Sequence, residues 1–244
     1  MFTTPPIIQD IEMEIIEQSV HAKALKILEL WAGFVWLACA LDKFSKVQIF
    51  LAGGALRDIF GSENRKPKDF DFFIAGPGVE GFLDFLAHHG KLSMGPFGSP
   101  RWFPENSPDS YADIILIERF YNGLWKCEDI VDVLNQFDFT ANAIALDIRT
   151  PRLFDPQNGI RDTQMRVMRA VRFDYPDEPI SSCCSLSRPS VLWVRLIHYA
   201  KVLKLEIEPV TMRWLLENSR FSGDVEQFGE IFFLPNIEPP FRES

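Results

Sequence analysis

Leu51-Ala52-Gly53-Gly54-Ala55-Leu56-Arg57-Asp58, followed by Lys68-Asp69-Phe70-Asp71-Phe72-Phe73, is the stretch on which the reading of this chain turns. An apolar run ending in paired glycines, then a short helical pattern, then a second apolar run, predicts strand, turn, helix, strand. Side chains alternate along a strand, so Asp69 and Asp71 share one face while Phe70 and Phe72 point to the other. Two carboxylates that close repel each other and hardly both stay ionised unless cations lie between them. A pair of divalent metals resolves the conflict and suits phosphoryl or nucleotidyl chemistry.

Working outward, Val47 to Ala52 reads as the first strand, Ala55 to Phe60 as a helix stopped by Gly61, and Phe70 to Ala75 as the second strand. Upstream, Ile11 to Lys43 carries apolar residues at helical spacing and predicts one helix covering a sheet. Downstream, Val79 to His89 predicts a helix, with His88-His89 as its C-terminus rather than a metal site, because adjacent helical positions face apart. Met94 to Ser110 reads as a long loop or loose hairpin around Arg101-Trp102-Phe103, and Asp113 to Ile117 as a third strand. Phe139 to Asp147 with Arg152 to Phe154 predicts a hairpin, Ile160 to Val171 a basic amphipathic segment, and Val191 to Leu205 a helix. Beyond Asn218 the pattern breaks into an acidic tail.

Composition narrows the class. Apolar residues at 47% and charged residues at 24% belong to an ordinary globular protein, and 22 phenylalanines supply a sizeable core. A formal charge of −9 disfavours broad, non-specific binding of nucleic acid. Locally, Arg149, Arg152, Arg161, Arg166, Arg169 and Arg172 form a basic strip. The N-terminus is not a secretory signal, and Trp31 to Leu41 is too short to span a bilayer. Cys39, Cys127 and the vicinal Cys183-Cys184 lack metal-chelating spacing, so reduced thiols in a cytoplasmic protein are expected.

The motifs together resemble the catalytic head of class II nucleotidyltransferases, the tRNA CCA-adding enzymes and bacterial poly(A) polymerases. Gly53-Gly54-Ala55-Leu56-Arg57-Asp58 resembles the G-G-x-x-R-D turn, and Lys68-Asp69-Phe70-Asp71-Phe72 the K-D-x-D strand. Asp138-Phe139-Thr140-Ala141-Asn142-Ala143 resembles R-R-D-F-T-x-N-A, with Leu153-Phe154-Asp155-Pro156 and Gly159-Ile160-Arg161-Asp162 following in order. The likeness covers residues 47 to 172 and thins afterwards. Arg195 to Thr211 resembles the first neck helix, with His198 where an arginine is usual, and Gln136-Phe137 replaces the paired arginines. The longer neck, body and tail do not follow before Ser244.

The resemblance implies an α+β fold of the polymerase-β type. It divides the chain into a head (1–172) with an N-terminal covering helix, and a short helical neck remnant with an acidic tail (173–244). It implies transfer of a nucleotidyl group from an NTP, ATP and/or CTP, to an RNA 3′ end such as that of tRNA, with two Mg²⁺ ions. Asp69, Asp71 and a third carboxylate are the expected catalytic and metal-binding set. Asp113, an acid opening an apolar strand, is the first choice and Glu118 the alternative. Gly53 and Gly54 would admit polyphosphate to the backbone and Arg57 would clamp it; a plain turn and an Arg57–Asp58 salt bridge are the competing readings. Asp138 and Asn142 are expected at ribose or base edge, or else in local turn bonding. Arg166 and Arg169, if helical, share a face for RNA or phosphate, or for solvent.

Two further readings stay open: a compact transferase acting on a protein or small molecule, and a retired head that only binds nucleotide. A short neck would leave apolar surface for a second copy. No membrane partner is expected.

Overall fold

The structure, a computed structural model, describes residues 6–61, 67, 69–95, 97–105, 110–181 and 184–237, with side chains from Glu14 onward. Lys68, Cys183 and the tail beyond Ile237 lie outside the described residues.

Two helices open the chain, α1 (Pro6–Glu29) and α2 (Phe34–Lys43), not the single helix expected from periodicity. The axes of Glu14–Glu29 and Phe34–Lys43 meet at a 119° bend. The break has a local cause. Trp31 turns into the core, its ring 5.0 Å from Phe70 and edge-on to Trp102, and its indole N–H donates to Ser110. Gly33 makes room for it, since a Cβ there would lie 2.4 Å from Trp31 Cζ2. Val20, Ala24, Leu28, Leu37 and Ala40 bury this helical pair against the sheet. No single helix among the described residues is long and apolar enough to cross a membrane, although this bent pair passes that test when taken together.

The body is a seven-stranded mixed sheet. In chain order come β1 (Gln48–Ala52), α3 (Gly54–Phe60), β2 (Asp69–Ala75), α4 (Val79–His88), β3 (Gly90–Met94), β4 (Pro100–Pro104) and β5 (Tyr111–Leu116). Then follow α5 (Ile130–Leu134), β6 (Ala145–Asp147), β7 (Leu153–Phe154) and α6 (Gly159–Met165). The sheet runs β3-β4-β5-β2-β1-β6-β7, with β2 and β5 parallel and the other neighbours antiparallel. Of the two readings of Met94 to Ser110, loop or loose hairpin, the hairpin is present, and its first strand, β3, begins earlier than periodicity revealed. His88 and His89 close α4 as expected, His88 Nδ1 lying 2.6 Å from the Asp84 carbonyl oxygen and His89 stacking on Trp36.

Period-two alternation explains the two faces. Phe70, Phe72 and Ile74 join Ile49, Leu51, Ile114 and Trp102 beneath α1, α2 and α4. Full burial of a side chain such as Phe72 contributes roughly 2–3 kcal/mol. Phe73 and Phe50 face the other way, toward Val133 and Leu134 of α5. On that second face, at the end of the strands beside Gly53, stand the carboxylates.

The rest of the chain forms its own core around α7 (Arg188–Leu203). It comprises β8 (Val167–Met168), the hairpin β9 (Pro179–Ser181) and β10 (Cys184–Ser187), β11 (Glu206–Ile207) parallel to β8, α8 (Pro209–Glu217) and α9 (Val225–Ile231). Ser187 caps α7 by accepting from the Ser190 N–H, with proline in the first turn. The pattern expected to fail beyond Asn218 instead makes a 3-10 turn (Ser219–Asp224) and α9. These are anchored by Phe221 and Phe228 against Trp193, Leu196 and Leu215. Phe139, Ala141, Met168 and Ala170 belong to this same cluster, so it reaches back into the Asp138–Asn142 turn.

Candidate active site

The glycine pair is required by geometry. Gly53 sits at φ 73°, and a Cβ there would lie 2.6 Å from Asp71 Oδ2. A side chain at this position is excluded by both backbone conformation and space. Gly54 faces the other way, where a Cβ would lie 3.4 Å from Arg57 Nη2. The turn therefore lies between an acid on one side and a guanidinium on the other.

The acids come from two parallel strands in register. Asp71 stands opposite Asp113 and Asp69 opposite Tyr111, so all four side chains share one face. Burial, then Asp69, then Asp113 push the Asp71 carboxyl up to about 8, against a partial opposing pull from Arg195. Burial likewise raises Asp113, although Arg101 opposes the shift. Arg101 donates from Nε to Asp113 Oδ1 (2.9 Å) and from Nη2 to Oδ2 (3.1 Å). The Tyr111 hydroxyl donates to Asp69 Oδ2 at 2.9 Å. Glu118, the alternative third acid, follows β5 on a 3-10 turn with its side chain 70% exposed and its nearest cation Arg119 3.9 Å away.

As they stand, no three His, Cys, Asp or Glu side chains among the described residues form a ready metal-ligand set. Asp113 is turned to Arg101, and one Asp69 oxygen to Tyr111. The donor chemistry nonetheless fits a divalent cation, because burial and the neighbouring Asp69 and Asp113 favour a proton on Asp71 that a cation would displace.

On the far side of the glycines, Arg57 pairs with Asp58 (Nη2–Oδ1 2.8 Å) and donates to Asn142 Oδ1 at 2.7 Å. The local salt bridge foreseen for Arg57 is present, and the residue still faces the site. Asn142 Nδ2 lies 3.4 Å from Asp138 Oδ1, and Asp138 Oδ2 takes both Nε and Nη2 of Arg195 at 2.7 Å. Burial opposes the charge on Arg195, but Asp138 and then Tyr199 hold its pKa above the ordinary arginine value. Tyr199 presents its ring to both guanidiniums, 5.9 Å from Arg57 Cζ and 5.1 Å from Arg195 Cζ.

Arg166 and Arg169 do not share a helical face. Helix α6 ends at Met165, Arg166 caps it in the left-handed region (φ 56°), and Arg169 lies past β8. Arg169 donates to Asp162 Oδ2 and to the Gln157 carbonyl, both at 2.8 Å, which ties α6 down. The basic strip is largely structural: Arg149 bonds the Leu41, Phe44 and Val47 carbonyls, and Arg172 pairs with Asp174 over Trp125. Gln136, where the resemblance has an arginine, is buried and donates to the Trp125 carbonyl and Cys127 Sγ. His198 accepts from the Asn236 N–H at 2.9 Å, and burial and Arg195 lower its pKa to about 4.

Arg101, Tyr111 and, with Arg195, Tyr199 had no role in the sequence reading. Alternation from Asp113 back to Tyr111 was the available signal for one of them. The others are brought in by cross-strand register and by the docking of α7.

An α+β sheet with paired aspartates abutting a glycine turn has the fold of the nucleotidyltransferase type. The chain is similar in sequence to proteins named for CCA addition. It is 54% identical over 144 residues to the Multifunctional CCA protein of Xanthomonas axonopodis pv. citri (strain 306), covering 55% of this chain and 33% of that protein. It is 32% identical over 188 residues to that of Stenotrophomonas maltophilia (strain R551-3), covering 74% and 42%. The chain thus spans about a third of the length of the first of these relatives. Among solved structures, the apo form II of a CCA-adding enzyme superposes with a TM-score of 0.58 at 23% identity, over 85% of this chain and 50% of that one. The Thermotoga maritima CCA-adding enzyme complexed with tRNA superposes with a TM-score of 0.56 at 22% identity, over 79% and 45%. No family model matches the chain.

Proposed function

We propose that this chain is the catalytic head of a metal-dependent nucleotidyltransferase that moves NMP from an NTP to an RNA 3′ end, with release of pyrophosphate. The observation that carries the reading is the contact between the strand carboxylates and the glycine turn, Asp71 Oδ2 lying 2.6 Å from where a Gly53 side chain would begin. Acids that gather cations and a backbone that admits polyphosphate belong together only where a charged phosphate chain is handled.

In this reading Asp69 and Asp71 hold divalent magnesium and Asp113 is the third acid of the cluster. Bound there, magnesium lowers the pKa of the acceptor hydroxyl and neutralises charge on the triphosphate. Gly53 and Gly54 let the phosphates approach the backbone. Arg57 turns from Asp58 toward them, and Asn142 and Asp138 position the sugar. Arg166, exposed beyond α6, meets RNA in this reading, whereas Arg169 acts by holding α6 in place. ATP and CTP are the expected donors and tRNA the expected acceptor, in keeping with relatives named CCA proteins and with CCA-adding enzymes solved with ATP, CTP and tRNA. The same reading keeps residues 1–172 as the head and 173–244 as a helical neck-like region, in a cytoplasmic protein.

The test is to incubate the protein with Mg²⁺, each labelled NTP, and tRNA, bulk RNA or cell extract. Label on the tRNA 3′ end, reduced roughly 10³-fold or more by Asp71→Asn, is the expected result. Label on protein instead would favour an alternative acceptor, and no aspartate-dependent label would mark a binding module.

A further inference from the structure

The acid cluster contains a cation of its own. Arg101 comes from β4, next to β5 in the sheet and directly across from Asp113, which is in turn directly across from Asp71 on β2. Its guanidinium forks onto both Asp113 oxygens, at 2.9 and 3.1 Å. Its Cζ lies 4.0 Å from the centre of the Tyr111 ring, and Tyr111 gives its hydroxyl to Asp69. One arginine thus touches one acid and, through a ring, orients a second. The hairpin turn closes over the pair: a Cβ on Gly95 would lie 3.6 Å from Asp113 Oδ1 and 3.9 Å from Arg101 Nη2.

We propose that Arg101 is a resident countercharge that occupies one of the two cation places three carboxylates would otherwise offer. Divalent metal then binds tightly once, at Asp69 and Asp71, and a second ion enters only when Arg101 releases Asp113. The inference rests on the nucleotidyltransferase reading of the cluster. It goes further by naming the residue that sets how many ions the cluster holds.

Three physical points support it. A guanidinium stays charged at any working pH, so its positive charge beside Asp113 is permanent and repels a divalent ion approaching the same oxygens. Both oxygens of Asp113 are engaged in a planar fork, the strongest geometry open to this pair. The Arg101 and Asp113 side chains are 24% and 20% exposed, so the fork borders solvent and can swing away without unfolding the hairpin. Trp102, fully buried and donating to the Leu86 carbonyl, anchors β4 independently.

The experiment is a Mn²⁺ titration of the full chain without nucleotide, followed by electron paramagnetic resonance. The wild type is expected to bind one Mn²⁺, lost in Asp71→Asn. Arg101→Ala is expected to gain a second Mn²⁺, about tenfold tighter or more than any second site of the wild type. Adding Asp113→Asn to Arg101→Ala should remove that gain. Arg101→Met, which keeps the apolar stem over Tyr111, serves if the alanine variant fails to fold, and Arg101→Lys should stay close to the wild type. Two equal sites in the wild type, or unchanged Mn²⁺ binding in both Arg101→Ala and Arg101→Met, overturns the proposal. No Asp71-dependent Mn²⁺ in the wild type would overturn the reading of the site itself, a result distinct from either.

Discussion

The two sides of the Gly53-Gly54 turn differ in charge balance. On the strand side, among the described residues, Asp69, Asp71 and Asp113 have one guanidinium in direct contact, that of Arg101, with Arg195 a more distant charge on Asp71. On the helix side, Arg57 and Arg195 face Asp58 and Asp138, two against two. The strand side is under-neutralised, and Asp69 and Asp113 add to burial in raising the pKa of Asp71. The helix side is satisfied as it stands, and its arginines must leave their partners to take a phosphate. In the proposed reading one side receives cations. The other exchanges one anion for another.

The largest effect that tests this contrast lies on the balanced side. Arg195→Ala leaves the Asp138 carboxylate partly buried without its fork, and is expected to destabilise the fold by roughly 2–4 kcal/mol in urea unfolding. Asp138→Asn in the same chain should recover part of the loss. If Arg195→Ala unfolds like the wild type, the helix side is not held together by this pair.

Next is Arg57→Gln, which keeps a hydrogen bond to Asn142 but removes the charge. It should raise the KM for NTP by about tenfold, with a smaller change in kcat. An unchanged KM would leave Arg57 as a partner of Asp58 only.

A smaller effect is expected from Asp71→Asn on stability in chelator. The folded carboxyl titrates near 8, above its ordinary value of 3.8. Its protonated form is therefore favoured by folding, and this contribution is present at low pH and lost as pH rises through about 8. The asparagine variant should melt roughly 2–4 °C above the wild type at pH 8.5, and the gap should close toward pH 4. A gap that widens on acidification would contradict a crowded, under-neutralised cluster.

Smallest of all, Glu118→Gln should leave transfer activity within about twofold, since the carboxylate is exposed and lies beyond the strand that carries Asp113. A large loss there would move the third acid to position 118.

The sheet body was legible because its signals are local. Alternation places Asp69 and Asp71 on one face, and a glycine with positive φ beside a carboxylate announces itself as Gly-Gly after an apolar run. The bend between α1 and α2 was not legible, because it depends on Trp31 finding Phe70, Phe72 and Trp102, partners far along the chain. The Arg166–Arg169 helical face failed for a related reason. Residues 167 and 168 are drawn out of helix to pair as β8 with β11, some forty positions later. The segment beyond Asn218 was read as an acidic, proline-containing tail although Phe221, Val225, Phe228 and Phe232 recur at helical spacing. Phe221 and Phe228 suffice once α7 offers a surface for them.

By itself the amino-acid order determined the strand–turn–helix–strand at residues 48–75, the shared face of Asp69 and Asp71, and the need for glycine at position 53. Each follows from backbone sterics and period-two alternation over a few neighbouring residues. Only the tertiary structure decided that Arg101 neutralises Asp113, that Arg195 grips Asp138, and that Tyr199 lies against Arg57. Those pairings join strands and helices between 12 and 142 residues apart, a reach set by sheet register and helix docking rather than by local sequence.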